Sequence, residues 1–154
     1  MAIEHFSASE FGDHYGLYPA QFIHYMDLFR TRWGRPVWLN NRFGVTGALA
    51  RFDGPDSESE HNVDYWGSCL AADVIPDGMT SRDEGDRALR LALECGFTGI
   101  GIYPHWNPEA GLHLGIRPTR PKGNPAQWSG IKVDGKQVYR SITEGLNALE
   151  DRYD

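Results

Sequence analysis

Residues 97–117 read FTGIGIYPHWNPEAGLHLGIR, and how this stretch divides decides the fold. FTGIGIY (97–103) and LHLGIR (112–117) are short apolar runs, and PHWNPEAG between them carries Pro104, Pro108 and Gly111. Proline and glycine punctuate local structure, so the stretch reads as strand, turn, strand. Successive side chains of a strand point to opposite faces. Leu112, Leu114 and Ile116 then share one face, and His113, Gly115 and Arg117 share the other. In the preceding strand Ile100 and Ile102 stand opposite Gly99 and Gly101. A histidine in the middle of an apolar alternation has little purpose unless something binds it.

Working outward, CLAADVI (69–75) is a further strand, with Leu70, Ala72 and Val74 on one face and Cys69, Ala71, Asp73 and Ile75 on the other. If the three aliphatic faces cover the core, Asp73 and His113 lie together on a face otherwise built from Ala71, Gly99, Gly101 and Gly115. A carboxylate and an imidazole among residues without bulk make a cleft floor. The competing reading is a merely solvated face, and the pattern alone leaves both open. Phe22, Met26, Phe29 and Trp33 recur at spacings of three and four and predict a helix over 20–33, closed by Gly34. PVWLN (36–40) alternates as a strand, and Pro76-Asp77-Gly78 turns the chain into a helix over 82–95 that stops at Gly96. Residues 1–19 read as an irregular lead-in, and 41–68 as a long polar loop of the kind that tends to carry function. A Pro/Gly-rich stretch runs to Gly130. Asp134-Gly135 between IKV and KQVY signals a hairpin. Ser141 and Glu144 form a capping box for a last helix over 141–152. The expected architecture is one α+β domain spanning 1–154. The strands at 69–75, 97–103 and 112–117 form a small antiparallel sheet, with helices packed on its aliphatic face.

The chain has 154 residues, enough for one core without staples, with ordinary apolar (40%) and charged (23%) fractions. A net charge of −6 and no Lys/Arg cluster argue against a nucleic-acid-binding face. Cys69 and Cys95 allow one disulfide, but two buried free thiols are the simpler expectation. The start, MAIEHFSASEF, has neither a basic region nor an apolar run, and no stretch is apolar enough to insert in a membrane. The expectation is a protein made in the cytoplasm and kept there unless a separate route releases it.

The polar loop before the Asp73 strand contains SEHN, with His61. His61, Asp73 and His113 are a two-histidine, one-carboxylate set of the kind zinc accepts, leaving a fourth position for water. Six histidines offer many such triples, so the triple alone is a weak signal.

SEHNVDYWGSCLAADV, GFTGIGIYP and GLHLGIRP, in this order, resemble the zinc D-Ala-D-Ala carboxypeptidase-like family of murein peptidases. The resemblance covers roughly residues 6–118 and is closest to versions carried by phages and prophages; 119–154 hold the hairpin and last helix. It implies the small α+β hedgehog/DD-peptidase fold, Zn2+ as cofactor, and hydrolysis of D-amino-acid-containing bonds in the peptidoglycan stem peptide. Ser59-x-His61 matches the first ligand motif, Ala71-x-Asp73 the second and His113 the third. Arg42 lies where many relatives hold the peptide carboxylate, with Arg51 as competitor, and Ser59 joins it as a substrate-binding residue. Glu109 upstream of His113 is the candidate general base, or else a solvated turn residue, with His105 as second candidate. Trp66, Trp106 and Tyr103 either line a cleft or belong to core and rim.

Two departures stand out. His61 and Asp73 are twelve residues apart rather than the family's seven, and Gly115 stands where relatives commonly carry aspartate. Loop-closure cost grows slowly with length, so the first is tolerable. The second removes a carboxylate that can orient the last ligand. The alternatives to a peptidase are therefore an inactive phage virion protein that keeps the fold, partnered by other virion proteins, or a metal-free binding module. An active phage-type peptidase would sit in the host cytoplasm, ride in the virion, or reach the cell wall by another route.

Overall fold

The computed structural model describes residues 4–39 and 49–154. The elements in chain order are α1 (Ala8–Phe11), a 3-10 turn (Gly12–Leu17), α2 (Ala20–Trp33), β1 (Val37–Leu39), α3 (Val63–Trp66), β2 (Ala71–Pro76), α4 (Arg82–Cys95), β3 (Gly99–Tyr103), β4 (Gly111–Gly115), β5 (Ala126–Val133), β6 (Lys136–Arg140) and α5 (Ile142–Tyr153). The strands form one six-stranded sheet in the order β1-β2-β4-β3-β5-β6. Every neighbouring pair is antiparallel except β3 and β5, which run parallel. The fold is mixed α/β on a mostly antiparallel sheet, wider than the expected small antiparallel sheet.

The alternation of the 97–117 stretch is realised in the packing. Ile100, Ile102, Leu112 and Leu114 are fully buried and join Ala72 and Val74 in one core cluster with Phe22, Met26, Phe29 and Trp33 of α2. Gly34 closes α2 in the left-handed conformation (φ 80°), which a side chain rarely adopts. Ser81 caps α4 and Ser141 caps α5, each accepting from the backbone N–H of the glutamate three residues on. Cys69 and Cys95 are buried free thiols.

The differences from the sequence reading have local causes. Cys69 and Leu70 lie outside β2, because their N–H groups donate to Leu17 O and Glu60 O and so tie the lead-in and the polar loop to the sheet. β5 begins at Ala126, inside the stretch read as irregular. Its burial follows no clean alternation, and it becomes a strand by pairing with the free edge of β3, Gly99 against Ala126 through Ile102 against Ser129. Among the described residues no helix is long and apolar enough to cross a membrane.

α5 lies so close to the sheet that a Cβ on Gly145 would collide with Ser129 Cβ and stand 2.7 Å from Ile102 Cγ2. Alanine favours a helix over glycine by about 1 kcal/mol, so glycine here reflects the approach and not the helix. Gly145→Ala is expected to lower stability by about 1–3 kcal/mol through overpacking. Urea unfolding checks this, and a variant as stable as the parent would show that α5 can lift from the sheet.

Candidate metal centre

Strand register brings two of the three proposed ligands together. Asp73 on β2 pairs directly with His113 on β4, and Gly101 on β3 pairs with His113 from the other side. His61 arrives from the polar loop. Arg51 N donates to His61 O (2.8 Å) and Val63 N to Arg51 O (2.9 Å), while Leu70 N donates to Glu60 O (2.8 Å). Asn62 caps α3 and also donates to Gly54 O and Ser57 O, both at 2.8 Å, closing the 54–62 loop on itself. The long spacing between His61 and Asp73 is taken up by α3 and the turn at Gly67 (φ 76°).

The three side chains meet. His61 Nε2 is 3.1 Å from His113 Nδ1 and 3.3 Å from Asp73 Oδ1, and His113 Nδ1 is 3.6 Å from the same oxygen. All three residues are buried, which sets aside the solvated-face reading. A tetrahedral ion with bonds of about 2.0–2.2 Å holds its ligand atoms about 3.3–3.6 Å apart, close to the 3.1–3.6 Å seen here.

The outer partners of the two imidazoles test whether a metal suits this space. His61 Nδ1 lies 2.6 Å from Leu49 O, and His113 Nε2 lies 3.3 Å from Glu60 Oε1. A carbonyl and a carboxylate only accept, so each of these ring nitrogens carries a hydrogen. That leaves His61 Nε2 and His113 Nδ1 as lone pairs aimed at each other and at a carboxylate oxygen. Three electron-rich atoms in one buried space repel unless a cation lies between them. Where no ion is bound, a proton on His113 takes the place of that cation. Burial opposes charge on His113, but Asp73 and Glu60 outweigh it and raise the imidazole to about 9. Burial opposes charge on Asp73 too, and the two histidines hold it down to about 2. His61, Asp73 and His113 thus form a buried group that could hold a metal ion.

A cleft of about 560 Å³ opens onto His61 and His113. Arg51, Arg117 and Arg120 supply positive charge along it, and Tyr103, Trp128 and Tyr139 supply aromatic wall. The Trp128 ring lies 5.1 Å from the His113 ring and its Nε1–H donates to the Tyr103 hydroxyl (2.9 Å). It also covers Gly101, where a Cβ would stand 2.5 Å from Trp128 Nε1. Arg120 is fixed by the carbonyls of Asn124 (2.7 Å) and Pro125 (3.0 Å).

Of the other residues singled out in the sequence, Ser59, Arg51 and Tyr103 line this cleft. Trp66 donates to Ser59 O (3.1 Å) and lines a neighbouring hollow of about 320 Å³. Arg42 lies outside the described residues. Glu109 and His105 sit in the turn between β3 and β4, and neither is among the residues lining the cleft. Arg152 of α5 clamps this turn by donating to the carbonyls of Pro104, Trp106 and Pro108 at 2.6–3.0 Å. His105 Nδ1 accepts from Lys132 N (2.9 Å). Trp106 stacks on Tyr103 and covers Gly111 at the start of β4.

Sequence reasoning missed Glu60, Trp128, Arg120 and Tyr139. Glu60 stood in plain view inside SEHN, but a loop has no periodicity to say where a side chain points. Trp128 was hidden by the irregular reading of its strand. No family model, no curated protein and no solved structure matches the chain.

Proposed function

We propose that the chain is a zinc-dependent peptidase of the D-Ala-D-Ala carboxypeptidase-like kind, with the hedgehog/DD-peptidase fold, cutting D-amino-acid-containing bonds of peptidoglycan stem peptides. A phage origin, with release to the cell wall by a separate route, belongs to the same proposal. The observation that carries it is the convergence of His61 Nε2, Asp73 Oδ1 and His113 Nδ1, with the two histidines lining an open cleft. Three protein ligands leave a zinc ion one open position, as catalytic sites require. When bound there, the ion supplies Lewis acidity toward a carbonyl and makes water nucleophilic near neutral pH. The chain's own residues do the rest. Leu49 O and Glu60 fix the two imidazoles, Trp128 walls the site, and Arg51 and Arg120 offer charge for a peptide carboxylate.

The test is metal analysis of the purified protein together with hydrolysis of stem peptides ending in D-Ala-D-Ala and of crosslinked peptidoglycan. Stoichiometric zinc and release of D-alanine or crosslink cleavage support the proposal. Stoichiometric zinc with no hydrolysis of either substrate moves the chain to the inactive virion-type reading.

Glu109 is the carboxylate proposed to accept the proton, and it lies in the bend before β4, outside the residues lining the cleft. The role therefore requires the 104–110 turn to move toward the cleft when substrate binds. A general base contributes about a hundred- to ten-thousand-fold. Glu109→Gln is expected to keep zinc and lose at least about a hundredfold in hydrolysis. Hydrolysis at the parent's rate would make Glu109 a turn residue.

A further inference from the structure

Gly115 and Gly99 face each other across the β3–β4 pair, and the space over both is filled by a carboxylate from neither strand. A Cβ on Gly99 would collide with Glu60 Oε1, and one on Gly115 would stand 3.1 Å from the same oxygen and 2.9 Å from His113 Nε2. Glu60 is 3 % exposed in that position. Arg117 donates through Nη2 to both carboxylate oxygens, at 3.2 and 3.1 Å, and through Nε to Oε1 at 3.3 Å. The Arg117 guanidinium is itself packed 5.0 Å from the Trp128 ring. One oxygen of this braced carboxylate faces His113 Nε2 at 3.3 Å, on the side of the ring away from His61 and Asp73.

We propose that Glu60, held by Arg117, is the positioning residue that orients His113 as a metal ligand, and that Gly99 is a glycine because this carboxylate lies on it and Gly115 because the carboxylate and the His113 ring together lie on it. The place where relatives carry an aspartate on the strand is served here from the ligand loop. Glu60 touches no reacting atom. It fixes the His113 tautomer and ring plane, a role whose loss typically costs about 10–100-fold in metal affinity. The proposal rests on His61, Asp73 and His113 being metal ligands. It also reverses the meaning of Gly115: an aspartate there would bring a second carboxylate against Glu60 instead of supplying a missing one.

The experiment measures Zn2+ affinity of the metal-free protein by competition with a chromophoric chelator, and the visible absorption of the Co2+ form, with circular dichroism as the fold check. Glu60→Gln is expected to bind zinc about 10–100-fold more weakly with the fold kept and the Co2+ bands altered. Glu60→Asp, which keeps the charge but withdraws it by one methylene, serves as second variant should the glutamine form not fold, and is expected to bind about tenfold more weakly. Gly115→Asp alone is expected to bind no more tightly than the parent. Glu60→Ala with Gly115→Asp is expected to recover at least about tenfold over Glu60→Ala alone, since the carboxylate returns from the strand side. Folded glutamine or aspartate variants that bind zinc as tightly as the parent would overturn the role of Glu60, as would tighter binding by Gly115→Asp alone. A parent that binds no zinc overturns the metal reading itself, and this inference with it.

Discussion

Added zinc is expected to raise the melting temperature of the parent chain and to leave that of His113→Ala unmoved. A ligand that binds only the folded state stabilises it by RT ln(1 + [L]/Kd), about 4.1 kcal/mol at a thousandfold excess over Kd. That linkage needs the full ligand set, and the metal-facing nitrogen of His113 is one of three atoms gathered within 3.1–3.6 Å. Alanine at 113 leaves His61 and Asp73, too few to hold the ion against water. Melts with zinc and with chelator, on both proteins, give the comparison, and metal content after desalting gives a second readout. Equal zinc-induced shifts in the two proteins would strike His113 from the ligand set.

Phe22→Ala is the change expected to cost most in the fold itself, about 3–5 kcal/mol for a large aromatic removed from a packed core. Phe22 is fully buried, stacked 4.7 Å from Tyr18 and edge-on to Phe97 at 5.7 Å. Tyr18 in turn donates its hydroxyl hydrogen to Ala71 O (2.8 Å), two residues before Asp73. The loss should be the same in zinc and in chelator, because the cavity forms on the core side of the sheet and the ligands lie on the other. Urea unfolding in both conditions measures it. A cost below about 1 kcal/mol would mean that α2 is not seated on the sheet as described.

Much of the site was legible because strand stereochemistry is local. Reading LHLGIR as a strand puts His113 opposite Leu112 and Leu114 with no knowledge of the rest of the chain. The same rule puts Asp73 opposite Ala72 and Val74, and the sheet brings the two polar positions into register. The helix stripe of Phe22, Met26, Phe29 and Trp33 was legible for the same reason, with a period of 3.6 in place of 2. β5 was not legible. Its pairing partner is the parallel edge of β3, more than twenty residues earlier in the chain, and no local alternation announces it.

What the sequence by itself determined is therefore which faces are apolar, where the chain turns, and that Asp73 and His113 each stand opposite the aliphatic face of their own strand. These follow from side-chain periodicity, which each segment carries alone. The tertiary structure decided how the loop bearing His61 is laid against the sheet face that carries Asp73 and His113, through Arg51, Leu49 and Leu70. It also decided that Glu60 fills the space over Gly99 and Gly115, and that Glu109 sits in a turn clamped by Arg152, outside the cleft lining. A loop residue has no period, and its direction is set by hydrogen bonds to partners distant in sequence. For that reason the gap at Gly115, read along the chain, looked like a missing carboxylate, while in the fold the carboxylate comes from Glu60.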